Sequence, residues 1–237
     1  MAELTATFTA AQARQAEISS RDLAYLVRDG QVFELSRGVY RHAAAPESAH
    51  LDLLAVHRRG PHAVVCGESA LALHELIDDI PDAVHIAVPR GARRPSISYP
   101  PVVVAQYAPA TFGFGVEPFE AAAGETVRIY SAARSVVDAI RHRGRLGESL
   151  ALSALGRYLR VHGQDGASEI QRAARELGAL PLVRPLVEAV LALWPARIAA
   201  PGKSRDSTGG RLLAGPPRNR RDVMLRRLYG RVGSKPA

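Results

Sequence analysis

TAAQARQAEISSRDLAYLVRDGQVFELSRGVYRH, residues 9–42, holds two helix starts, a glycine stop and a hairpin in a single run. Thr9 and Gln12 have the spacing of a capping box, in which a hydroxyl caps the amide three residues on and the side chain there returns the bond. Phe8 is placed to staple against Ala13, so a short helix is expected over about 9–17. Ser19 and Asp22 repeat the box. Leu23, Leu26 and Val27 form the apolar stripe of a second helix over 19–29, and Gly30 ends it. From residue 32 the period becomes two. Phe33 and Leu35 would face one side of a strand, Val32 and Glu34 the other. Arg37-Gly38 supplies a glycine able to take positive φ at a turn, and Val39–His42 return as the partner strand. An isolated hairpin is marginally stable, so this one should lean on the helices through its apolar face. Helix, turn, helix, hairpin is the order of a winged helix-turn-helix, with Arg37 at the tip of the wing, where a phosphate backbone would pass. The preceding MAELTAT is too short for the helix that usually leads such a module. The module is then minimal, completed by a later helix, or continued upstream.

Working outward, AAAPES (43–48) reads as a linker, which divides the chain into a winged domain over 1–44 and a second domain over 48–195. In the latter, helices are expected over 48–58 and 67–76, and strands over 83–88, 101–107, 114–119 and 126–130, separated by Pro and Gly turns. Ser131 caps a helix whose Val136, Val137 and Ile140 share a face. Helices near 147–161, 168–177 and 184–193 follow, with Pro185 in the first turn of the last. Strands followed by helices imply an α+β fold: a small, mainly antiparallel sheet and then a helical C-terminal part. Residues 196–237 are rich in Gly, Pro and Arg and are expected to form a mobile basic tail.

Composition restricts the function classes. With 237 residues and 47% hydrophobic content the chain can bury a real core. One cysteine, Cys66, excludes an internal disulfide. No apolar run approaches the roughly 20 residues of a membrane span, and the first residues lack the apolar block of a secretion signal. A cytoplasmic protein with no membrane partner is expected. The net charge of +8 is unevenly placed: from Arg197 onward there are 11 basic and 2 acidic residues, whereas the rest holds 20 and 21. Overall basicity therefore says nothing about nucleic-acid binding by the body.

In the second helix the outward residues are Ser20, Arg21, Tyr25 and Arg28. Arginine to guanine is the commonest specific base contact, which makes Arg21, near the helix start, the candidate base reader. Arg28, Arg37 and Arg41 are placed to hold phosphates. Against this, residues 1–42 carry five arginines and five acids, and a neutral winged domain equally suits a protein-binding module that blocks a partner enzyme without using DNA. The loop VPRGARRP (88–95) offers Arg90, Arg93 and Arg94 to a nucleic acid or an acidic protein surface, or to solvent alone. Arg141, Arg143 and Arg145 close a helix, where cations complement the dipole. Catalytic patterns are thin. Asp78, Asp79 and Asp82 cluster in a turn with no partner base. His50, His57, His62, His74 and Cys66 lack metal-ligand spacing. Ser69 and His74 are not a nucleophile elbow, and no phosphate-cradling glycine loop is present. No catalytic residue, metal or cofactor is expected.

FTAAQARQAEISSRDLAYLVRDGQVFELSRGVYR, VVCGESALALHEL, VHIAVPRGARRPSISYPPVVV, VRIYSAARSVVDAIRHRGRLG and LVRPLVEAV together resemble the AbiEi antitoxins of abortive-infection toxin-antitoxin systems. The resemblance runs in register from Phe8 to Leu193. It implies a non-enzymatic antitoxin and transcriptional autorepressor, whose winged helix binds inverted or direct operator repeats and whose second domain counteracts a nucleotidyltransferase toxin. By position, Arg134 stands where the family has a lysine and Asp138 where it has an acid, which adds both to the candidate antitoxin or nucleic-acid surface with Arg90, Arg93 and Arg94. Ala132 replaces the family's usual proline. The tail after Pro195 lies outside the resemblance.

Overall fold

A computed structural model describes residues 4–193. The described residues belong to one compact unit, and the basic tail expected over 196–237 lies outside them. Among the described residues no helix is long and apolar enough to cross a membrane.

Both capping boxes form. β1 (Thr7–Thr9) leads into α1 (Ala10–Gln15), where the Thr9 amide donates to Gln12 Oε1 at 2.8 Å and the Gln12 amide donates to Thr9 Oγ1 at 3.2 Å. Ser19 and Asp22 do the same for α2 (Ser20–Arg28). The ends of the two helices are closed alike, by an amide reaching back to a carbonyl five residues earlier: Ile18 to Ala13 and Gln31 to Leu26, each at 3.0 Å. This closure needs a residue with left-handed backbone. Gly30 supplies it after α2 (φ 74°), but after α1 Glu17 must adopt it (φ 64°).

β2 (Val32–Ser36) and β3 (Val39–His42) complete an antiparallel sheet in the order β1-β3-β2. Register assigns its faces. Phe8 lies opposite Tyr40, and Val32 opposite His42. This face packs on the two helices in a cluster of Phe8, Ala13, Leu23 and Val32, joined by Ile18, Leu26 and Tyr40. The expectation that Phe33 and Leu35 form the helix-facing side is thereby corrected. Phe33 lies opposite Arg41 on the other face, and a bulge between Glu34 and Ser36 shifts the phase after it.

The second face, with Thr7, Val39 and Arg41, is met by α3 (Leu51–Arg59), which lies against all three strands. A later helix thus covers this small sheet. α3 also packs on a five-stranded sheet of β4 (Val64–Val65), β5 (Val84–Pro89), β6 (Val102–Tyr107), β7 (Val116–Ala122) and β8 (Glu125–Tyr130), ordered β6-β5-β4-β8-β7. α4 (Gly67–Leu73) links β4 to β5, and α5 (Pro109–Phe112) links β6 to β7. The expectation of a mainly antiparallel sheet is corrected here. β4–β5 and β7–β8 pair that way, but β5–β6 and β4–β8 are parallel, giving a mixed sheet. Residues 90–101 allow this, being about the dozen residues that a parallel crossover needs.

The helical layer follows: α6 (Ala132–Arg141), α7 (Arg143–Leu146), α8 (Glu148–Glu176) and α9 (Leu180–Ala192). Val136, Val137 and Ile140 do share a face, fully buried against Ala151, Ala154, Leu155, Tyr158 and Val183. The two helices expected over 147–161 and 168–177 are the arms of α8, broken at Gly163 (φ 56°, ψ −137°). α9 begins before the expected 184, with a proline in its first turn and Pro185 inside the helix, not at its start.

Candidate nucleic-acid interface

α2 places Ser20, Arg21, Ala24, Tyr25 and Arg28 in solvent while burying Leu23. Val27, expected to point inward, is 36% exposed, because Leu23 and Leu26 already fill the contact with β2. The Arg28 guanidinium lies over the Tyr25 ring, 5.2 Å from its centroid, a contact that restricts a long side chain before any ligand arrives. Arg14, Arg21 and Arg37 are exposed and make no ion pair among the described residues.

Arg37 sits at a short turn. Gly38 (φ 74°) donates its amide to Glu34 Oε1 at 2.8 Å, and its carbonyl accepts from the Ala10 amide at 2.9 Å. Thr9, the last residue of β1, is paired with Val39, the first after the turn. The tip is therefore level with the end of β1 and fastened to the start of α1, so the hairpin projects little beyond the sheet.

Arg41 does not belong to the exposed set. It is 2% exposed, because it shares the Val39 face of β3 and that face is covered. Its Nη1 pairs with Glu125 and donates to Thr7 Oγ1 at 2.6 Å, and its Nη2 donates to the Pro46 carbonyl at 2.9 Å. Glu125 also accepts from the Thr7 amide (2.9 Å) and from Arg58 Nη2 (3.1 Å). Burial alone would raise the Glu125 pKa, but the bonds from Arg41, the Thr7 amide and Arg58 together hold it below the usual carboxylate value. A role for Arg41 at phosphate is thus replaced by one at the seam between the small sheet and β8. The parity of Arg41 with Val39 was the available signal. Nothing local marked Glu125.

Arg134 and Asp138 are likewise interior, at 0% and 3% exposure, and do not form a surface. Arg134 Nη1 donates to the Thr111 carbonyl at 2.6 Å and also to that of Phe114. Its Nε donates to Asp138 at 3.3 Å, and its guanidinium lies 3.6 Å from the Tyr130 ring centroid. Asp138 accepts from Arg141 at 2.8 Å as well. The pair fastens the segment after β6 onto α6. The approach is close enough that a Cβ on Gly115, which has φ 63°, would lie 3.2 Å from Arg134 Cβ.

Arg90, Arg93 and Arg94 are exposed on the β5–β6 loop and make no ion pair among the described residues. Arg59 at the end of α3 holds this loop through the Ser96 carbonyl at 2.9 Å.

Three of the weaker chemical candidates have structural partners. Asp78 is paired with Arg157. Ser69 Oγ accepts from the His85 amide at 2.9 Å, and His74 Nε2 meets the Tyr130 carbonyl at 2.8 Å. Burial pushes the Cys66 thiol up to about 12, so it carries no thiolate at neutral pH. Among the described residues no group of His, Cys, Asp or Glu could hold a metal ion.

Residues 3–42 match the family model described as "Transcriptional regulator, AbiEi antitoxin". No curated protein matches the chain. Among solved structures, the RV2827C protein of Mycobacterium tuberculosis is similar at 18% identity and TM-score 0.40, covering 79% of this chain and 76% of that one.

Proposed function

We propose that the chain is a DNA-binding autorepressor and antitoxin, a reading supported by the match of residues 3–42 to the AbiEi antitoxin regulator model. α2 enters the major groove of operator repeats, and the second part of the chain opposes a nucleotidyltransferase toxin without catalysing a reaction of its own. The observation that supports this best is the solvent face of α2: Arg21 exposed and without an ion pair among the described residues, Arg28 held on Tyr25, and Ser20 at the helix start. Arg21 is the base reader, and Arg28 and Arg37 hold phosphates. The test is an electrophoretic shift with the full chain on the DNA upstream of its own gene. A sequence-specific shift that survives Arg21→Ala with Arg37→Ala overturns the assigned surface.

One observation favours a second reading, a protein-binding module that blocks a partner enzyme. Exposed Glu17, Asp22, Asp29 and Glu34 balance exposed Arg14, Arg21, Arg28 and Arg37. Copurification with a neighbouring nucleotidyltransferase and no DNA shift would select it. Arg90, Arg93 and Arg94 are assigned to the toxin-opposing or nucleic-acid surface under either reading.

A further inference from the structure

We infer that the outer edge of β6 pairs with the same strand of a second copy, antiparallel across a two-fold axis, so that the chain associates as a dimer. β6 ends the sheet order β6-β5-β4-β8-β7, so among the described residues no strand lies along its outer side. The Val84 amide donates to the Pro101 carbonyl at 2.9 Å, and the Arg90 amide to the Tyr107 carbonyl at 2.7 Å. Bonding direction alternates along a strand. Pro101, Val103, Ala105 and Tyr107 therefore turn their backbone groups to β5, while Val102, Val104 and Gln106 turn theirs away from it. The two edges of the sheet differ. β7, at the far edge, carries exposed Glu117, Pro118 and Glu120 and a bulge between Glu120 and Ala122, the devices that keep an edge from pairing. β6 reads VVVAQY, with no charge, no proline and no break in its register with β5, and its Val103 is 46% exposed.

Charge selects the occupant and its direction. Exposed Asp79 and Asp82 precede β5, exposed Arg90, Arg93 and Arg94 follow it, and none of them makes an ion pair among the described residues. β5 and β6 are parallel, so this edge of the sheet has an acidic end and a basic end. A second copy laid antiparallel sets each acidic end beside the mate's basic end. A parallel copy would set like charges together, and an acidic or a basic peptide would suit one end only. With Val104 on the axis, Val104 faces its own counterpart and Val102 faces Gln106, which makes about six backbone hydrogen bonds between the copies. The contact is isologous, so each copy covers the other's edge and the assembly closes as a dimer. The mate's β5 stands three strand spacings, about 14 Å, away, so the charged side chains steer the approach and stay open to other partners.

Sedimentation of the full chain should show a dimer at high concentration that dissociates on dilution. In amide hydrogen exchange, Val102, Val104 and Gln106 should gain protection as concentration rises, while Val103, Ala105 and Tyr107, already bonded to β5, stay as they were. Val104→Pro removes an amide that β5 does not use and should raise the dissociation constant about thirtyfold, the change expected for two lost hydrogen bonds of ordinary net strength. Val103→Lys, at an exposed position, sets a charge against the mate and should also weaken the dimer, with the fold of both variants checked by circular dichroism. Asp79→Lys with Asp82→Lys makes both ends basic and should weaken association at low salt, where such charges are least screened. A chain that stays monomeric at every concentration, as it would if the edge served the strand of a different protein, overturns this inference. So does a dimer that Val103→Lys and a folded Val104→Pro both leave unchanged, or one whose added protection lies outside β6. A dimer indifferent to the aspartate changes at low salt overturns its antiparallel arrangement.

Discussion

Arg41 on β3 and Glu125 on β8, 84 residues apart, form a buried ion pair that joins the small N-terminal sheet to the five-stranded one. Thr7 and Arg58 complete the carboxylate's shell. Removing one member of a buried pair leaves the other charged and unmatched, which typically costs about 3–5 kcal/mol. Glu125→Ala should therefore unfold at markedly lower urea concentration than the parent. Arg41→Met with Glu125→Leu should cost less than the two single changes added together, as a double-mutant cycle would read out.

The same carboxylate gives stability a definite pH dependence. Its folded pKa is lower than its unfolded one, so the contribution is fully present above the unfolded value of about 4.3 and is lost as pH falls through the folded value. The stability difference between the parent and Glu125→Gln should be constant down to about pH 5 and shrink steadily below it. An earlier acid loss, beginning near pH 6.5, is expected from His57, His85 and His142. Burial is the largest cause of the lowered pKa of each, so each resists protonation in the folded chain. Thermal melts between pH 8 and pH 3 separate the two limbs.

The two closures after α1 and α2 predict opposite responses to substitution. Glu17 holds a backbone conformation that glycine adopts freely, so Glu17→Gly should raise stability by up to about 1 kcal/mol. Gly30→Ala, at the equivalent point after α2, should lower it by at least as much. Denaturant midpoints of the two variants would lie on either side of the parent's.

Arg37 and Arg41 are four residues apart and should behave differently on DNA. Each phosphate contact contributes about 0.9 to the slope of log affinity against log salt. Arg37→Ala should reduce that slope by about one contact. Arg41→Met should lower the unfolding midpoint and leave the slope unchanged, since its guanidinium is committed to Glu125. A salt titration of binding by both variants decides this. Equal loss of slope would place Arg41 at phosphate after all.

Local chemistry made much of the N-terminal part legible from the sequence. Thr9/Gln12, Ser19/Asp22, Gly30 and Gly38 each act within five residues of themselves, and a motif of that reach can be read from letters. β1 and β4, three and two residues long, escaped because a period-two pattern needs more length than that to emerge. The interior positions of Arg41, Arg134 and Asp138 escaped for another reason. A charged side chain reads as surface unless its partner is known, and the partners of the two arginines, Glu125 and the carbonyls of Thr111 and Phe114, come from distant parts of the fold, while Asp138 goes inside as the i+4 partner of Arg134. For Arg21, Tyr25 and Arg28, one-helix periodicity was enough to place them outside, whereas Val27 required knowing how little of α2 the small sheet could cover.

The Arg41–Glu125 clasp also bears on how such proteins can be recombined. The N-terminal head of α1, α2 and β1–β3 is joined to the rest of the same compact unit by a charge that, among the described residues, only Glu125 neutralises. A chimaera that receives a new head must import an arginine at position 41 or abandon the glutamate at 125, and a head excised alone carries an orphaned cation where its neighbour used to sit.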